Sequence, residues 1–365
     1  MPAAPTLTDG LVTLRAHRPD DAQGSYEQCQ DPGSRRWTTV PVPYSLADAE
    51  TFVGRVMPAG WENDSEWGFA VEHEGRYAGT ISLRNEGSGR AEVAYGSHPA
   101  VRGTDVMECA LRLLLDWGFE SQGLRTVIWW AHAGNWPSRR LAWKLGFRVE
   151  GTVRQWQPQR GELITSWVGT LLRDDPRSPA TPWLDCPVIE RDGLRLRPVE
   201  PRDAERIVEA SADERTQRWL GHLPTPYTLS DAHAYVEARS EMRANGSGVT
   251  WAVVDPADDL ILATVLYFGH RPGLECELGY WTHPEARGRG LMTRAFRVLM
   301  EYAFDELEVR RVKAFVAVGN TASRHLMEAN GLSLYGVERL GATTGTGPED
   351  MALYDMTVEE FNAAR

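Results

Sequence analysis

The sequence contains few cysteines and no arrangement of them that is typical of a metal site. The four are far apart and none belongs to a CxxC pair: Cys29, Cys109, Cys186 and Cys276. A zinc site or a disulfide framework is therefore not expected. Thiols of this kind are usual in reducing compartments, so we predict a cytoplasmic protein without a bound metal.

Long hydrophobic runs are absent as well. No stretch approaches the roughly 18 consecutive apolar residues that indicate a membrane helix. The first residues, MPAAPTLTDG, have neither the basic start nor the apolar centre of a secretory signal. We therefore expect no association with a membrane.

Basic residues are outnumbered by acidic ones. Lys and Arg total 39 against 51 Asp and Glu, which gives a formal net charge of −12. Nonspecific binding of nucleic acid depends on the neutralisation of phosphates by basic side chains. The balance of charge therefore disfavours nucleic acid as a partner.

The chain has 365 residues, which is enough for two domains, and its landmarks occur twice. Residues 98–99 recur as 283–284, and residues 135–146 recur as 320–331, so these pairs share an offset of 185 residues. Earlier landmarks recur too, because Leu14-Arg15 returns as Leu196-Arg197. A shared register over so many positions indicates a tandem duplication of a whole domain.

A proline-rich stretch divides the two copies. Residues 173–187 contain four prolines among charged and small residues, a composition typical of a stiff, extended linker. We predict a first domain over residues 1–172, a linker over 173–187 and a second domain over 188–365. Each copy contains the pattern of antiparallel hairpins followed by a parallel βαβ unit, which predicts an α/β (α+β) fold.

One stretch of the second copy, residues 277–303, has the pattern of a phosphate site. A short strand is followed by the turn Arg287-Gly288-Arg289-Gly290, and apolar residues recur at helical spacing from Leu291. The first turn of a helix has N–H groups without intrahelical partners, and the helix dipole adds positive charge there. The glycines permit close approach, so the pattern predicts a pyrophosphate cradle.

Two common nucleotide sites do not fit this stretch. A Rossmann unit needs GxGxxG and an acidic residue at the end of the next strand, but that strand ends in Gly319-Asn320. A P-loop needs Gly-Lys-Ser/Thr after the glycines, and no such triplet is present.

The stretch resembles the acetyl-CoA-binding strand and loop of the GNAT acetyltransferase superfamily. Each copy also has an Asn-x-x-Ser segment that closes on a glycine, with Asn135 and Ser138 in the first and Asn320 and Ser323 in the second. The Rim-type group, which acetylates N-terminal amines of ribosomal proteins and also small amines, is the most similar. The resemblance implies two tandem domains, each a mixed, mostly antiparallel sheet whose central parallel strands splay apart.

The resemblance also implies roles for residues of the second copy. Acetyl-CoA is the expected acyl donor, and its pantetheine arm is expected against a strand and its pyrophosphate on the glycine loop. The residues expected to bind it are Trp281, Thr282, Arg287, Gly288, Arg289, Gly290, Leu291, Met292 and Asn320.

The expected chemistry is direct attack of a neutral amine on the thioester. Glu277 is predicted to accept the proton of the amine and Ser323 to protonate the leaving thiolate. Many members use a tyrosine at the position that Met327 occupies here. Purely structural roles remain open for both residues, because Glu277 could be a solvated strand residue and Ser323 a hydroxyl at a helix start.

The two copies differ at the cradle. Thr104 and Asp105 stand where the second copy has Arg289 and Gly290. A carboxylate at a pyrophosphate site is unfavourable, so we predict that the second copy is catalytic and that the first binds acetyl-CoA weakly or not at all. The first copy would then complete the substrate cleft or replace a dimer partner.

Two functions are compatible with the sequence. One is an N-acetyltransferase that acts on a primary amine, either a small molecule or a protein N-terminus. The other is a catalytically idle acyl-CoA-binding or scaffold protein on the same fold. The chain is expected to be a monomer, with its halves as an intramolecular pseudo-dimer, or a homodimer.

Overall fold

The chain folds into two compact units, each built around one mixed β-sheet. A computed structural model describes residues 4–365. The boundary between the units lies between Ala180 and Thr181, inside the proline-rich stretch. Each unit contains an eight-stranded sheet flanked by helices. The predicted α/β class with two domains of the same fold is confirmed.

The first unit contains eight strands and six α-helices. Its strands are β1 (Leu7–Thr8), β2 (Thr13–Arg15), β3 (Glu66–His73), β4 (Arg76–Gly87), β5 (Arg90–Ser97), β6 (Thr126–His132), β7 (Arg148–Gln159) and β8 (Glu162–Leu172). Its helices are α1 (Asp21–Gln30), α2 (Pro32–Trp37), α3 (Leu46–Thr51), α4 (Met57–Glu62), α5 (Val106–Glu120) and α6 (Trp136–Lys144).

The second unit repeats this arrangement of strands, but it has one long helix before its third strand where the first unit has two short ones, and it ends in an additional helix. Its strands are β9 (Ile189–Arg191), β10 (Leu194–Pro198), β11 (Gly248–Val254), β12 (Ile261–Arg271), β13 (Glu275–Thr282), β14 (Arg311–Ala317), β15 (Ser333–Thr344) and β16 (Gly347–Thr357). Its helices are α7 (Ala204–Ala212), α8 (Glu214–Trp219), α9 (Leu229–Ala244), α10 (Leu291–Glu301), α11 (Thr321–Ala329) and α12 (Val358–Ala363). Within residues 4–365, no helix is long and apolar enough to cross a membrane.

The two sheets have the same strand order. It is β1-β2-β3-β4-β5-β6-β8-β7 in the first unit and β9-β10-β11-β12-β13-β14-β16-β15 in the second. Neighbouring strands are antiparallel except for the central pairs β5–β6 and β13–β14, which are parallel. The hairpins β3–β4 and β11–β12 and the βαβ unit that the sequence predicted are all present.

The central parallel pair of the second unit separates along its length. β13 and β14 are paired only from Glu275 with Arg311 to Glu277 with Lys313. Beyond Glu277, β13 remains hydrogen-bonded to β12 as far as Thr282 but is no longer paired with β14. The divergence leaves a gap in the middle of the sheet.

A buried ion pair connects the opening strand of each unit to the helix that follows. Arg15 binds Asp21 at 2.8 Å in the first unit, and Arg197 binds Asp203 at 2.7 Å in the second. Breaking such a pair leaves an uncompensated buried charge, which is strongly destabilising. The repeated Leu-Arg and acidic helix start of the sequence therefore have a structural origin.

Helix α10 positions the glycine turn against the core. Its residues Leu291, Ala295, Val298 and Leu299 are buried in the main apolar cluster of the second unit, as their spacing predicted. Burial of an apolar face at this spacing is the main source of stability for a helix of a globular protein. The start of the helix is consequently held at the mouth of the gap between β13 and β14.

Candidate active site

The gap between β13 and β14 opens into a cleft with a volume of about 1020 Å³. Helices α8, α9, α10 and α11 contribute to its walls. Every residue to which the sequence assigned a role lines this cleft: Glu277, Trp281, Thr282, Arg287, Gly288, Arg289, Gly290, Leu291, Met292, Asn320 and Ser323. The fold thus assembles residues from one strand, the glycine turn and two helix starts in one cavity.

The glycine turn has a backbone that suits an anion. Gly288 and Gly290 have φ values of +71° and +67°, in the left-handed region that side chains disfavour. Gly290 is the N-cap of α10, so the N–H groups of Leu291, Met292 and Thr293 lack intrahelical acceptors. A Cβ added at either glycine would have no atom within 4 Å. The two glycines are therefore needed for the left-handed backbone conformation of the turn and not to avoid a steric clash.

Arg287 is bound to protein groups at the edge of the cleft. Its guanidinium donates to Asp213 at 2.5 Å and to Thr216 at 2.9 Å, at the start of α8. The first unit has the same link, from Arg102 to Asp31 and Ser34. Arg287 therefore ties the glycine turn to α8, and the exposed Arg289 is the arginine of this turn that has no ion pair within residues 4–365.

Glu277 lies where the parallel strands begin to separate, and its carboxyl group is in an apolar environment. Its cross-strand neighbour on β12 is Phe268. Its neighbour on β14 is Lys313, whose ammonium group donates to Glu275 at 3.0 Å. Burial raises the pKa of Glu277 to about 7, and the charge of Lys313 lowers it only in part. A carboxyl group of this kind can accept a proton near neutral pH.

The start of α11 brings an amide and one hydroxyl group to the opposite wall, and Tyr280 of β13 adds a second hydroxyl. Asn320 is the N-cap, and its side-chain oxygen accepts from the N–H of Ser323 at 3.3 Å. That contact leaves the amide N–H groups of Asn320 as donors for a ligand. The buried Ser323 shares a hydrogen bond with Tyr280 of β13, whose pKa is raised by burial.

Both halves of the chain match a known family. A sequence profile described as the acetyltransferase (GNAT) domain matches residues 12–148 and 193–333. The matched segments amount to more than half of the chain, and one lies in each unit. The chain belongs to the GNAT acetyltransferase family. Members of this family use acetyl-CoA as the acyl donor.

Individual relatives are about as long as one GNAT half. YdaF of Bacillus subtilis, named as a candidate ribosomal N-acetyltransferase, is 31% identical over 199 residues, which are 49% of this chain and 98% of YdaF. YoaA of the same organism, named as an uncharacterised N-acetyltransferase, is 24% identical and covers 47% of this chain and 96% of its own. Among solved structures, Mycobacterium smegmatis RimJ in complex with CoA-disulfide has 19% identity and a TM-score of 0.43, covering 46% of this chain and 83% of its own.

The first GNAT half has a tryptophan where the second has a small residue. The buried Trp129 of β6 donates from its indole nitrogen to Tyr95 at 3.1 Å and to Ser138 at 3.2 Å. Tyr95 and Ser138 correspond to Tyr280 and Ser323, and the residue that corresponds to Trp129 is Ala314. The hydroxyl pair that faces the cleft in the second half is thus covered by an indole in the first.

On the neighbouring strand the difference in residue size is reversed: the first half has a small residue and the second half has a large one. Gly169 of β8 lies opposite Trp129, and a Cβ at this glycine would be 3.2 Å from the indole. In the second half Tyr354 lies opposite Ala314, and its hydroxyl contacts Arg324 at 3.0 Å. The large and the small residue have therefore changed places across this strand pair. In the second half the aromatic residue is hydrogen-bonded to α11.

The glutamate that corresponds to Glu277 is ion-paired in the first half. Glu92 accepts from Arg84 at 2.8 Å, and Arg84 also contacts Glu66 at 3.3 Å. In the second half Phe268 stands in the cross-strand position of Arg84. Burial raises the pKa of Glu92 above its ordinary value and Arg84 lowers it only in part, so the two glutamates differ in ion pairing and not in the direction of their pKa shifts.

The cradle of the first half is also different. Asp105 is the N-cap of α5 with φ −82°, and its side chain is 77% exposed. Lys144 lies 3.7 Å from Asp105 and 2.6 Å from Glu108. The turn therefore lacks the left-handed glycine and carries a carboxylate at the helix start.

Sequence reasoning overlooked three residues of the site. Tyr280 lies in the strand that resembles the acetyl-CoA-binding strand but was assigned no role, and Ala314 and Phe268 lie outside the motifs that indicated the family. A comparison of the two copies position by position could have found the exchanges at Ala314 and Phe268, since Trp129 and Arg84 occupy those places. The effect of these exchanges on the site depends on contacts between strands, which cannot be read from the sequence.

Proposed function

We propose that the second half transfers the acetyl group of acetyl-CoA to a primary amine by direct attack. The observation that carries this proposal is the environment of Glu277, which lies in the cleft beside Phe268 with a pKa of about 7. The acceptor is a small-molecule amine or a protein N-terminus. We retain the predicted limits of the catalytic domain, residues 188–365, the first domain at 1–172 and the linker at 173–187.

The residues of the cleft fit the donor. We assign the pyrophosphate to the N–H groups at the start of α10, with Arg289 supplying charge, because the left-handed glycines leave open space in front of them. Trp281 and Thr282 lie on the part of β13 that β14 does not pair, so their backbone is available to the pantetheine arm. Asn320 donates from its amide group.

Glu277 acts as the general base in this proposal. When bound, acetyl-CoA supplies the thioester carbonyl that the amine attacks. The nitrogen–carbon bond forms, the carbon–sulfur bond breaks, and the proton of the amine passes to Glu277. A base with a pKa close to the working pH combines a substantial ionised fraction with useful basicity.

Ser323 and Tyr280 act on the leaving group. Their shared hydrogen bond places two hydroxyl groups on the wall of the cleft beside Ala314. We assign Ser323 as the hydroxyl that protonates the thiolate and Tyr280 as the group that orients it. Met327 offers no hydroxyl at the position of the tyrosine that many relatives use.

The first half is assigned as inactive. Trp129 covers its hydroxyl pair, Arg84 forms an ion pair with its glutamate, and Asp105 disfavours a phosphate. Each difference removes a separate requirement of the reaction. These differences support a division of roles in which the first half has the fold alone and the second half carries out the reaction.

The test is release of CoA thiol from acetyl-CoA in the presence of primary amines and peptides with free N-termini. We expect release that depends on the amine, together with the gain of one acetyl group by the amine in mass spectrometry. Binding of acetyl-CoA without acetylation of any acceptor would favour the idle acyl-CoA-binding or scaffold protein.

A further inference from the structure

The cleft of the second half is strongly cationic, although the whole chain is acidic. Glu277 is its only carboxylate among the residues that the structure describes. Four arginines line it, and three of them, Arg215, Arg239 and Arg289, have no ion pair within residues 4–365. An unpaired arginine inside a cleft is a site for an anionic group.

Arg239 is held in a defined position on α9. Its guanidinium carbon lies 4.7 Å from the centre of the Tyr235 ring, and its Nε atom is buried without a hydrogen-bond partner. Tyr235 is itself anchored, because its hydroxyl is 3.4 Å from Thr264 and accepts from Trp281 at 3.4 Å. A buried donor without a partner is unusual in a folded protein and indicates a ligand or water in the cleft.

An apolar wall lies between Arg239 and Glu277. Leu266 and Phe268 project from β12 on the face that bears Glu277, and Met242 follows Arg239 on α9. A Cβ at Gly279 would be 3.1 Å from Leu266 and 3.2 Å from Phe268, so these side chains lie directly over the strand of the base. The surface beside the base therefore suits a hydrocarbon or aromatic group.

The first half has neither feature. Its sheet has Ser82 and Arg84 at the positions of Leu266 and Phe268, and the exposed Val56 corresponds to Arg239. The combination of an apolar wall and an unpaired arginine is therefore specific to the half that has the open cleft.

We propose that the acceptor is an amine that also carries an apolar group and an anionic group, and that Arg239 binds the anion. This inference rests on the proposed acetyltransferase function. The apolar group packs on Leu266 and Phe268, the amine faces Glu277, and a carboxylate or phosphate pairs with the guanidinium. Arg239 is then a specificity-determining residue, since it neither touches the transferred acetyl group nor moves a proton.

The experiment compares acceptors that differ only in charge. L-phenylalanine and L-phenylalaninamide place a carboxylate or a neutral amide next to the amine. The dipeptides Phe-Asp and Phe-Asn place them one residue further away, so the two pairs distinguish a free amino acid from a peptide N-terminus. Rates are measured as kcat/KM, corrected for the fraction of neutral amine, for the full chain and for Arg239→Met, Arg239→Lys and Arg310→Met.

We expect the full chain to prefer the anionic member of one pair by about tenfold or more, as a charge-assisted hydrogen bond predicts. Arg239→Met retains the apolar stem and should abolish the preference through KM, whereas Arg239→Lys should keep part of it. Arg310 is exposed and distant from the cleft lining, so Arg310→Met should keep all of it.

Two outcomes would overturn the inference. One is equal use of the charged and neutral members of both pairs by the full chain, and the other is an unchanged preference in Arg239→Met. If no amine or peptide is acetylated by the full chain under any condition, the proposed acetyltransferase function fails instead. Thermal melting of each variant verifies that the fold is retained.

Discussion

At the scale of single residues, Glu277 and Glu92 show that the same side chain can have different chemistry in two copies of one fold. Both lie on the central parallel strand and at the same register. Arg84 binds Glu92 at 2.8 Å, whereas Phe268 is the cross-strand neighbour of Glu277. Partial burial raises the pKa of Glu277 to about 7, and the charge of Lys313 on β14 lowers it only in part. The neighbour on β12 therefore decides whether this glutamate is ion-paired.

The pH dependence of the reaction follows from that pKa. The ionised form of Glu277 accepts the proton, so kcat/KM should rise with pH through about 7. Glu277→Gln removes the base, and we expect kcat/KM to fall by about 10²- to 10⁴-fold. The rise near pH 7 should disappear as well. Initial rates of thiol release over this range of pH measure both effects.

Glu92→Gln is the matched control for this substitution. It makes the same change at the same register of the first half, and we expect wild-type activity and an unchanged pH profile. A Glu277→Gln variant with the wild-type profile would show that the base is another group.

At the scale of secondary structure, the start of helix α10 differs from the start of α5 in backbone conformation as well as charge. Gly290 is left-handed with φ +67°, and the corresponding Asp105 has φ −82°. A Cβ at Gly290 would meet no atom within 4 Å, so steric exclusion does not explain the glycine. The direction of the N–H groups in the turn is the property that the glycine preserves.

We expect Gly290→Asp to weaken acetyl-CoA binding by about 100-fold or more. The left-handed conformation costs a side chain about 1–2 kcal/mol, and the carboxylate adds about 1–4 kcal/mol of repulsion at intermediate dielectric. Gly290→Ala incurs only the conformational cost, so its affinity for acetyl-CoA should fall by about tenfold. Calorimetry at two salt concentrations separates the terms, because salt screens only the repulsion.

Gly273 provides the control for backbone strain. It also has φ +67° and open space around a Cβ, but it lies in the turn between β12 and β13, away from the cleft lining. Gly273→Asp should lose about as much folding stability as Gly290→Asp and retain the wild-type affinity for acetyl-CoA. Equal losses of affinity in both variants would mean that strain, and not the cradle, determines binding.

At the scale of the whole molecule, duplication has preserved the topology and changed the contents of the two sheets. Strand order, the parallel central pair and the ion pair between opening strand and helix are common to both units. The differences are concentrated where the second unit has its cleft. The fold is therefore retained in both units although the residues at the position of the cleft differ.

We expect one acetyl-CoA to bind per chain in calorimetry. Asp105→Gly alone should leave this stoichiometry unchanged, because the indole of Trp129 still covers Tyr95 and Ser138. Two sites of equal affinity in the wild-type chain would contradict the division of roles between the halves.

Much of the architecture follows from local patterns in the sequence. The alternation of apolar residues predicted the hairpins, the helical spacing after Leu291 predicted α10, and the shared offset revealed two copies of one domain. Positions of the cradle residues were predictable too, since a glycine turn between a strand and a helix has few conformations. All the residues assigned to the site line one cleft.

Other features depend on partners that are distant in the chain. The sequence suggested Arg287 as a phosphate ligand, but its guanidinium binds Asp213, 74 residues away. Trp129 could be recognised as the cover of a hydroxyl pair only once β5 and α6 were placed beside β6. Local periodicity specifies elements and their order, whereas the partner of a charged or aromatic side chain depends on how the sheet brings distant strands together. For this protein, the repeat, the fold and the position of the glycine turn were contained in the sequence, and the tertiary structure decided which glutamate is ion-paired and which hydroxyl pair is covered.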